Sequence, residues 1–175
     1  MKIRSQEELT CIQSSWSITD EGVLVWKRRA GGRKNIGDPV GLSTLSSGHT
    51  NCFLWINGKF TGYSTGQIAW FLYTGLWPIA EIDHVNGNPQ DNRQDNLRLA
   101  SRSEQCMNRV AGRKGRKNKG VYKREYGNKW SAQIWVHGEC KSLGTYNSEE
   151  DAIRARKAAT EQWHGRFANS QSYVN

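Results

Sequence analysis

The chain has 175 residues, with 25 Lys+Arg against 16 Asp+Glu, a formal net charge of +9, 36% hydrophobic residues and 8 Trp. That apolar and aromatic content can bury a core, which excludes a wholly disordered polyelectrolyte, and the length suits one domain or two small ones. No run approaches the roughly 18 apolar residues that cross a bilayer, and the amino-terminal segment lacks the apolar stretch of a secretory signal, so a cytoplasmic protein with no membrane partner is expected.

Taken in chain order, Val23–Trp26 and Cys52–Ile56 read as short antiparallel strands, and Asn57-Gly58 is a favoured two-residue hairpin turn. Ser64 or Thr65 can cap a helix over about 67–74, whose apolar face is Ile68, Ala69, Phe71 and Leu72 and which Gly75 stops. A short extended segment begins at Glu81 and ends in turn residues after His84, and 95–99 reads as a second strand. Ser101 with Glu104 makes a capping box, so a helix should run from Ser101 to about Val110.

Three further strands follow, over 120–124, 129–137 and 141–146, joined by turns at Gly127-Asn128 and Gly138. Alternation puts Trp130, Ala132, Ile134 and Val136 on one face and Ser131, Gln133 and Trp135 on the other. Ser148 with Asp151 opens a helix in which Ala152, Ala155, Ala159 and Trp163 form a stripe, ended by Gly165, that should cover the apolar sheet face. Apart from Trp135, the tryptophans read as core.

Charge divides the chain. Residues 1–66 carry eight basic and five acidic side chains, 67–110 four and five, and 111–175 thirteen and six. Between 111 and 124 stand seven Lys or Arg and no acid, interleaved with glycine, which reads as a flexible basic linker that a polyanion attracts by releasing its counterions. Nucleic acid is therefore the favoured partner. Cys11, Cys52, Cys106 and Cys140 form no C-x-x-C pair and are expected as free thiols. His49 with Cys52 and His137 with Cys140 have H-x-x-C spacing, but lie in different modules and read as turn residues rather than a zinc site.

Asp83-His84 sets a hard oxygen ligand beside a group that titrates near pH ~6.5, the two parts of metal-assisted phosphodiester hydrolysis. Together with Trp77-Pro78, the run Ile82–Asn88, Asp91–Arg93, Asp95–Arg98 and the capped helix at Ser101, this pair closely resembles the HNH nucleases of phage homing-endonuclease type over about residues 20–110. The resemblance implies a ββα-metal fold, a metal-dependent endodeoxyribonuclease with one Mg²⁺ or Mn²⁺ ion per active site, and 5′-phosphate and 3′-hydroxyl products. Asp83 would bind the ion, His84 would be the general base and Asn96 would hold the connecting loop. Two positions depart from the family's pattern: Gln105 stands where a second ligand, His or Asn, is usual, and Gly66 replaces a histidine.

Lys119–Tyr122, Trp130–Ile134, Leu143–Tyr146, Ser148–Ala152, Gly165 and Ala168-Asn169 look like the plant ethylene-response-factor (APETALA) DNA-binding domain, covering nearly all of 118–170. This likeness implies DNA-facing roles for Lys119, Tyr122, Arg124, Gln133, Trp135 and Thr145; the linker adds Arg113, Lys114, Arg116 and Lys117. The expected organisation is an α+β chain: an HNH module with a β extension over 1–110, a basic linker over 111–118, and a three-stranded sheet packed on one helix over 119–175. The expected function is a nicking or homing endonuclease on double-stranded DNA, acting as monomer or weak dimer in a host cytoplasm. The rival is a DNA-binding protein with a decayed site; an RNA-binding sheet is disfavoured because its outer face shows essentially Trp135 and Tyr122 as aromatics.

Overall fold

A computed structural model describes residues 4–29, 34–108 and 118–168. The chain is a mixed α and β protein with small antiparallel sheets, and it divides into two compact units, Met1–Ala100 and Ser101–Asn175.

The first unit opens with helix α1, Gln6–Ser15, set by a full capping box between Ser5 and Glu8 that the sequence reading passed over. Strands β1, Trp16–Ile18, and β2, Leu24–Trp26, pair antiparallel. A three-stranded sheet follows from β3, Ser43–Thr44, β4, Thr50–Ile56, and β5, Lys59–Ser64. Asn57 and Gly58 both take positive φ in the β4–β5 turn, the geometry that matches strand twist. Helix α2, Thr65–Thr74, ends on left-handed Gly75, but Ser64 at its start makes no side-chain cap. Ile12, Trp16, Leu24, Cys52, Leu54, Tyr63, Ile68 and Phe71 join in one buried cluster. Each fully buried apolar side chain of this size contributes about 1.5–3 kcal/mol.

Trp55 overturns the assignment of the tryptophans to the core. It is 63% exposed, because β4 sends Cys52, Leu54 and Ile56 inward and therefore Phe53 and Trp55 outward, where both rings meet Phe60 from β5. Strand period, not hydrophobicity, decides the side.

Strands β6, Glu81–His84, and β7, Leu97–Ala100, form a two-stranded sheet pairing Asp83 with Arg98 and His84 with Leu97. The loop between them is gripped by two glycine turns from elsewhere in the unit. A Cβ on Gly22 would lie 2.5 Å from the Arg93 nitrogen and 2.6 Å from the Asn92 carbonyl carbon, and one on Gly48 would lie 3.1 Å from Pro89 Cγ. Both glycines also have positive φ, so neither position takes another residue without strain.

In the second unit α3, Arg102–Asn108, carries the anticipated capping box: the Ser101 N–H donates to Glu104 Oε2 at 2.7 Å and the Glu104 N–H to Ser101 Oγ at 3.3 Å. Strands β8, Val121–Lys123, β9, Trp130–Val136, and β10, Glu139–Tyr146, form a sheet with β9 in the middle. Helix α4, Glu149–His164, is capped by Ser148. Its apolar contact with the sheet runs through Ala152 against Val121 and Ala132, and Ala159 against Ile134 and Val136. The stripe differs from the predicted one. Arg156, 2% exposed, occupies the buried row and Ala155 is only partly buried, while Trp163 packs against the Ile134, Val136 and Ala159 cluster as expected. A guanidinium can sit there because it is partnered, donating to the Thr160 hydroxyl one turn on.

Candidate active site and nucleic-acid face

The site starts from a two-residue coincidence on β6. Asp83 and His84 end a short strand and are 8% and 6% exposed, so both polar groups must find partners inside the protein. Arg98, opposite Asp83 in the register, donates through Nε to Asp83 Oδ2 at 2.8 Å, with Nη2 at 2.6 Å. His84 Nε2 lies 3.2 Å from Asn92 Oδ1. An amide oxygen only accepts, so Nε2 carries the proton and the Nδ1 lone pair is the basic one.

Burial lowers the His84 pKa below its ordinary 6.5, and the nearby His49 pushes the same way, against the Asn92 hydrogen bond and the carboxylates of Asp83 and Asp91. The imidazole is thus held neutral near pH 7, the form that can take a proton.

Asparagines shape the loop. Asn96, 5% exposed, accepts the Asn86 N–H on Oδ1 at 2.9 Å and donates from Nδ2 to the Asp91 carbonyl at 2.7 Å, while its own carbonyl accepts the Val85 N–H at 2.9 Å. These three bonds close the chain between His84 and β7. Asn92 and His49 are the site neighbours that sequence reasoning missed. Asn92 sits within the polar run and could have been singled out, whereas nothing local connects His49 to a residue 35 positions away.

Gly66 opens onto the same spot, since a Cβ there would stand 3.5 Å from His84 Cε1 and 3.5 Å from Asn92 Oδ1. Gln105 lies half-buried in α3, in the second unit. Among the described residues no group of three or more His, Cys, Asp or Glu could hold a metal ion. The oxygen donor of Asp83 suits a hard ion such as Mg²⁺, which keeps several waters and takes one or two protein oxygens plus phosphate. Zinc has no such fit at the His49–Cys52 pair, because Cys52 points into the core and burial pushes its thiol pKa up to about 12. All four cysteines are free thiols.

Residues 65–107 match the family model of the HNH endonucleases. No curated relative matches the chain. Among solved structures, one titled "DNA binding and cleavage by the HNH homing endonuclease I-HmuI" is similar at 17% identity and a TM-score of 0.39, over 50% of this chain and 47% of that one. The chain therefore spans about half the length of that protein. Asp83, His84, Asn92 and Asn96 all fall inside the HNH-matching segment, as do Gly66 and Gln105.

The outward face of the β8–β10 sheet collects most of the predicted DNA-facing residues. Tyr122, Ser131 and Thr145 line up across the three strands, with Gln133 and then Trp135 farther along β9. Gln133 Nε2 donates to the Tyr122 hydroxyl at 2.7 Å, Arg124 Nη1 lies 3.4 Å from Thr145 Oγ1, and Trp135 is 59% exposed. Lys119 is placed differently. Its ammonium donates to the carbonyls of Cys106 at 2.9 Å and Met107 at 2.8 Å, the negative end of α3. Arg113, Lys114, Arg116 and Lys117 lie outside the described residues.

Proposed function

We propose that this chain is a DNA endonuclease that hydrolyses phosphodiester bonds by the HNH mechanism. The observation that carries the reading is a buried histidine, kept neutral next to a carboxylate, inside the segment that matches the HNH family model. His84 takes the proton of the attacking water on Nδ1, with Asn92 fixing the tautomer through Nε2. Asn96 holds the loop so that the imidazole keeps one direction. Asp83 would hold one Mg²⁺ or Mn²⁺, whose chemistry when bound is to neutralise charge on the phosphate and the leaving oxygen. The chain order β6, β7, α3 supports a ββα-metal module.

The second sheet is the DNA-holding part of this proposal. Its three strands backed by one helix suit the APETALA-like assignment, with Tyr122, Arg124, Gln133, Trp135 and Thr145 offered to duplex DNA. The proposed organisation is a catalytic module over 1–110, a basic tether over 111–118 and a binding module over 119–175. A tether raises the effective concentration of a nearly neutral catalytic module on the strand. One copy has one site, so a monomer nicks.

The test is supercoiled plasmid DNA incubated with wild type and His84→Ala in Mg²⁺, Mn²⁺ or EDTA. Metal-dependent open circles from wild type alone are expected. Wild type that shifts DNA on a gel without nicking it supports the decayed-site reading, in which case Gln105→Asn tests whether that departure from the family's pattern is the defect.

A further inference from the structure

We infer that His49 is a substrate-contacting residue of the His84 site, donating from Nε2 to a phosphate oxygen of the strand being cut; the inference rests on the nuclease reading above. His49 belongs to the β3–β4 hairpin, far in sequence from β6, yet its ring centroid lies 6.1 Å from that of His84 at an interplanar angle of 62°. The two imidazoles differ in environment. His84 is buried and engaged by Asn92, whereas His49 is exposed to solvent.

The ring is aimed rather than loose. Ser47 Oγ lies 3.1 Å from His49 Nδ1. With the hydroxyl donating there, Nε2 keeps its N–H in the neutral ring, and it is a donor in the imidazolium as well. The backbone beneath is anchored on both sides: the His49 carbonyl accepts the Leu45 N–H at 2.8 Å, and Thr50 begins a strand and is 7% exposed. Gly48 sits against Pro89 of the site loop, so the hairpin turn and the loop carrying Asn92 are packed on each other. Gly66 puts no side chain over His84 from α2.

A bland alternative is that His49 only fills a turn. Against it, the ring's aromatic neighbour is the imidazole of the proposed general base rather than core.

The experiment compares wild type, His49→Ala and His49→Gln on supercoiled plasmid DNA with Mg²⁺ or Mn²⁺. It reads the single-turnover nicking rate at saturating protein, DNA affinity by gel shift in EDTA, and thermal unfolding. His49→Ala is expected to slow nicking about 100- to 1,000-fold, as loss of one positioned donor does, with DNA affinity within about twofold. His49→Gln, which restores an N–H donor, recovers part of the rate. Nicking by His49→Ala at the wild-type rate, while His84→Ala is inactive, overturns the inference and leaves the nuclease reading intact. A rate that falls together with melting temperature and is not recovered by glutamine also overturns it, assigning His49 a structural role. Absence of nicking by wild type overturns both readings.

Discussion

The two units place their polar chemistry in opposite ways. In the first, Asp83, His84, Asn92 and Asn96 are all less than 10% exposed, on a sheet of two short strands and one loop. In the second, Trp135 and Thr145 stand exposed on a three-stranded sheet whose other face is packed by α4, with exposed Arg124 just past the end of β8. A buried site can tune a group's ionisation and fix its direction, but every polar atom there needs a partner, which is why Asn92 meets His84 and Arg98 meets Asp83. An exposed face tunes little and must act through charge, shape and number of contacts. The difference teaches that substitutions in the first unit should change rate, and those on the second sheet should change hold.

The sharpest break of that contrast is His84→Ala. Loss of a positioned general base is expected to lower the single-turnover nicking rate by about 10²–10⁴, with salt-dependent DNA binding unchanged in a gel shift. Gly22→Ala comes next. Its methyl group would meet the 92–93 backbone at 2.5–2.6 Å in a residue with φ +79°, so a loss of stability of about 1–3 kcal/mol in denaturant titration and a slower nicking rate are expected. Unchanged nicking by this variant would mean that the Gly22 turn does not govern the loop.

A smaller effect concerns pH. His84 must be neutral to act, and burial, with His49, lowers its pKa, so nicking should rise with pH along a limb centred below 6.5 and level off above it. A limb centred above 6.5 in the rate at saturating protein would contradict the buried geometry. Smallest of all, Arg124→Ala should leave the nicking rate at saturating protein unchanged and reduce the slope of log affinity against log salt by about 1. An unchanged slope would remove Arg124 from the contact face.

Much of the fold was legible because its signals are local. Asn57-Gly58 and Gly138 mark turns through their own backbone preferences, Ser101 with Glu104 caps α3 within one turn, and strand alternation assigns the faces of β9. The same rule applied to β4 would have put Trp55 outside, but a run rich in apolar residues reads as buried on both faces. Helix α1 was missed although its Ser5–Glu8 box is local, since the apolar pattern after it is weak. Arg156 in the buried row of α4 was not legible, because its position depends on a Thr160 hydroxyl and on how the helix is rotated against the sheet.

For the candidate site, the sequence by itself showed the Asp83-His84 pair and the turn residues after it, and the family resemblance pointed to Asn96, all within about a dozen residues along one hairpin. Only the tertiary structure decided that His49 faces His84, that Gly22 and Gly48 grip the loop, and that Lys119 serves the carboxyl end of α3. The physical reason is separation along the chain. Backbone preference and strand period act between near neighbours, whereas the meeting of residues tens of positions apart is set by which surfaces pack with their hydrogen bonds satisfied, a property of the whole fold.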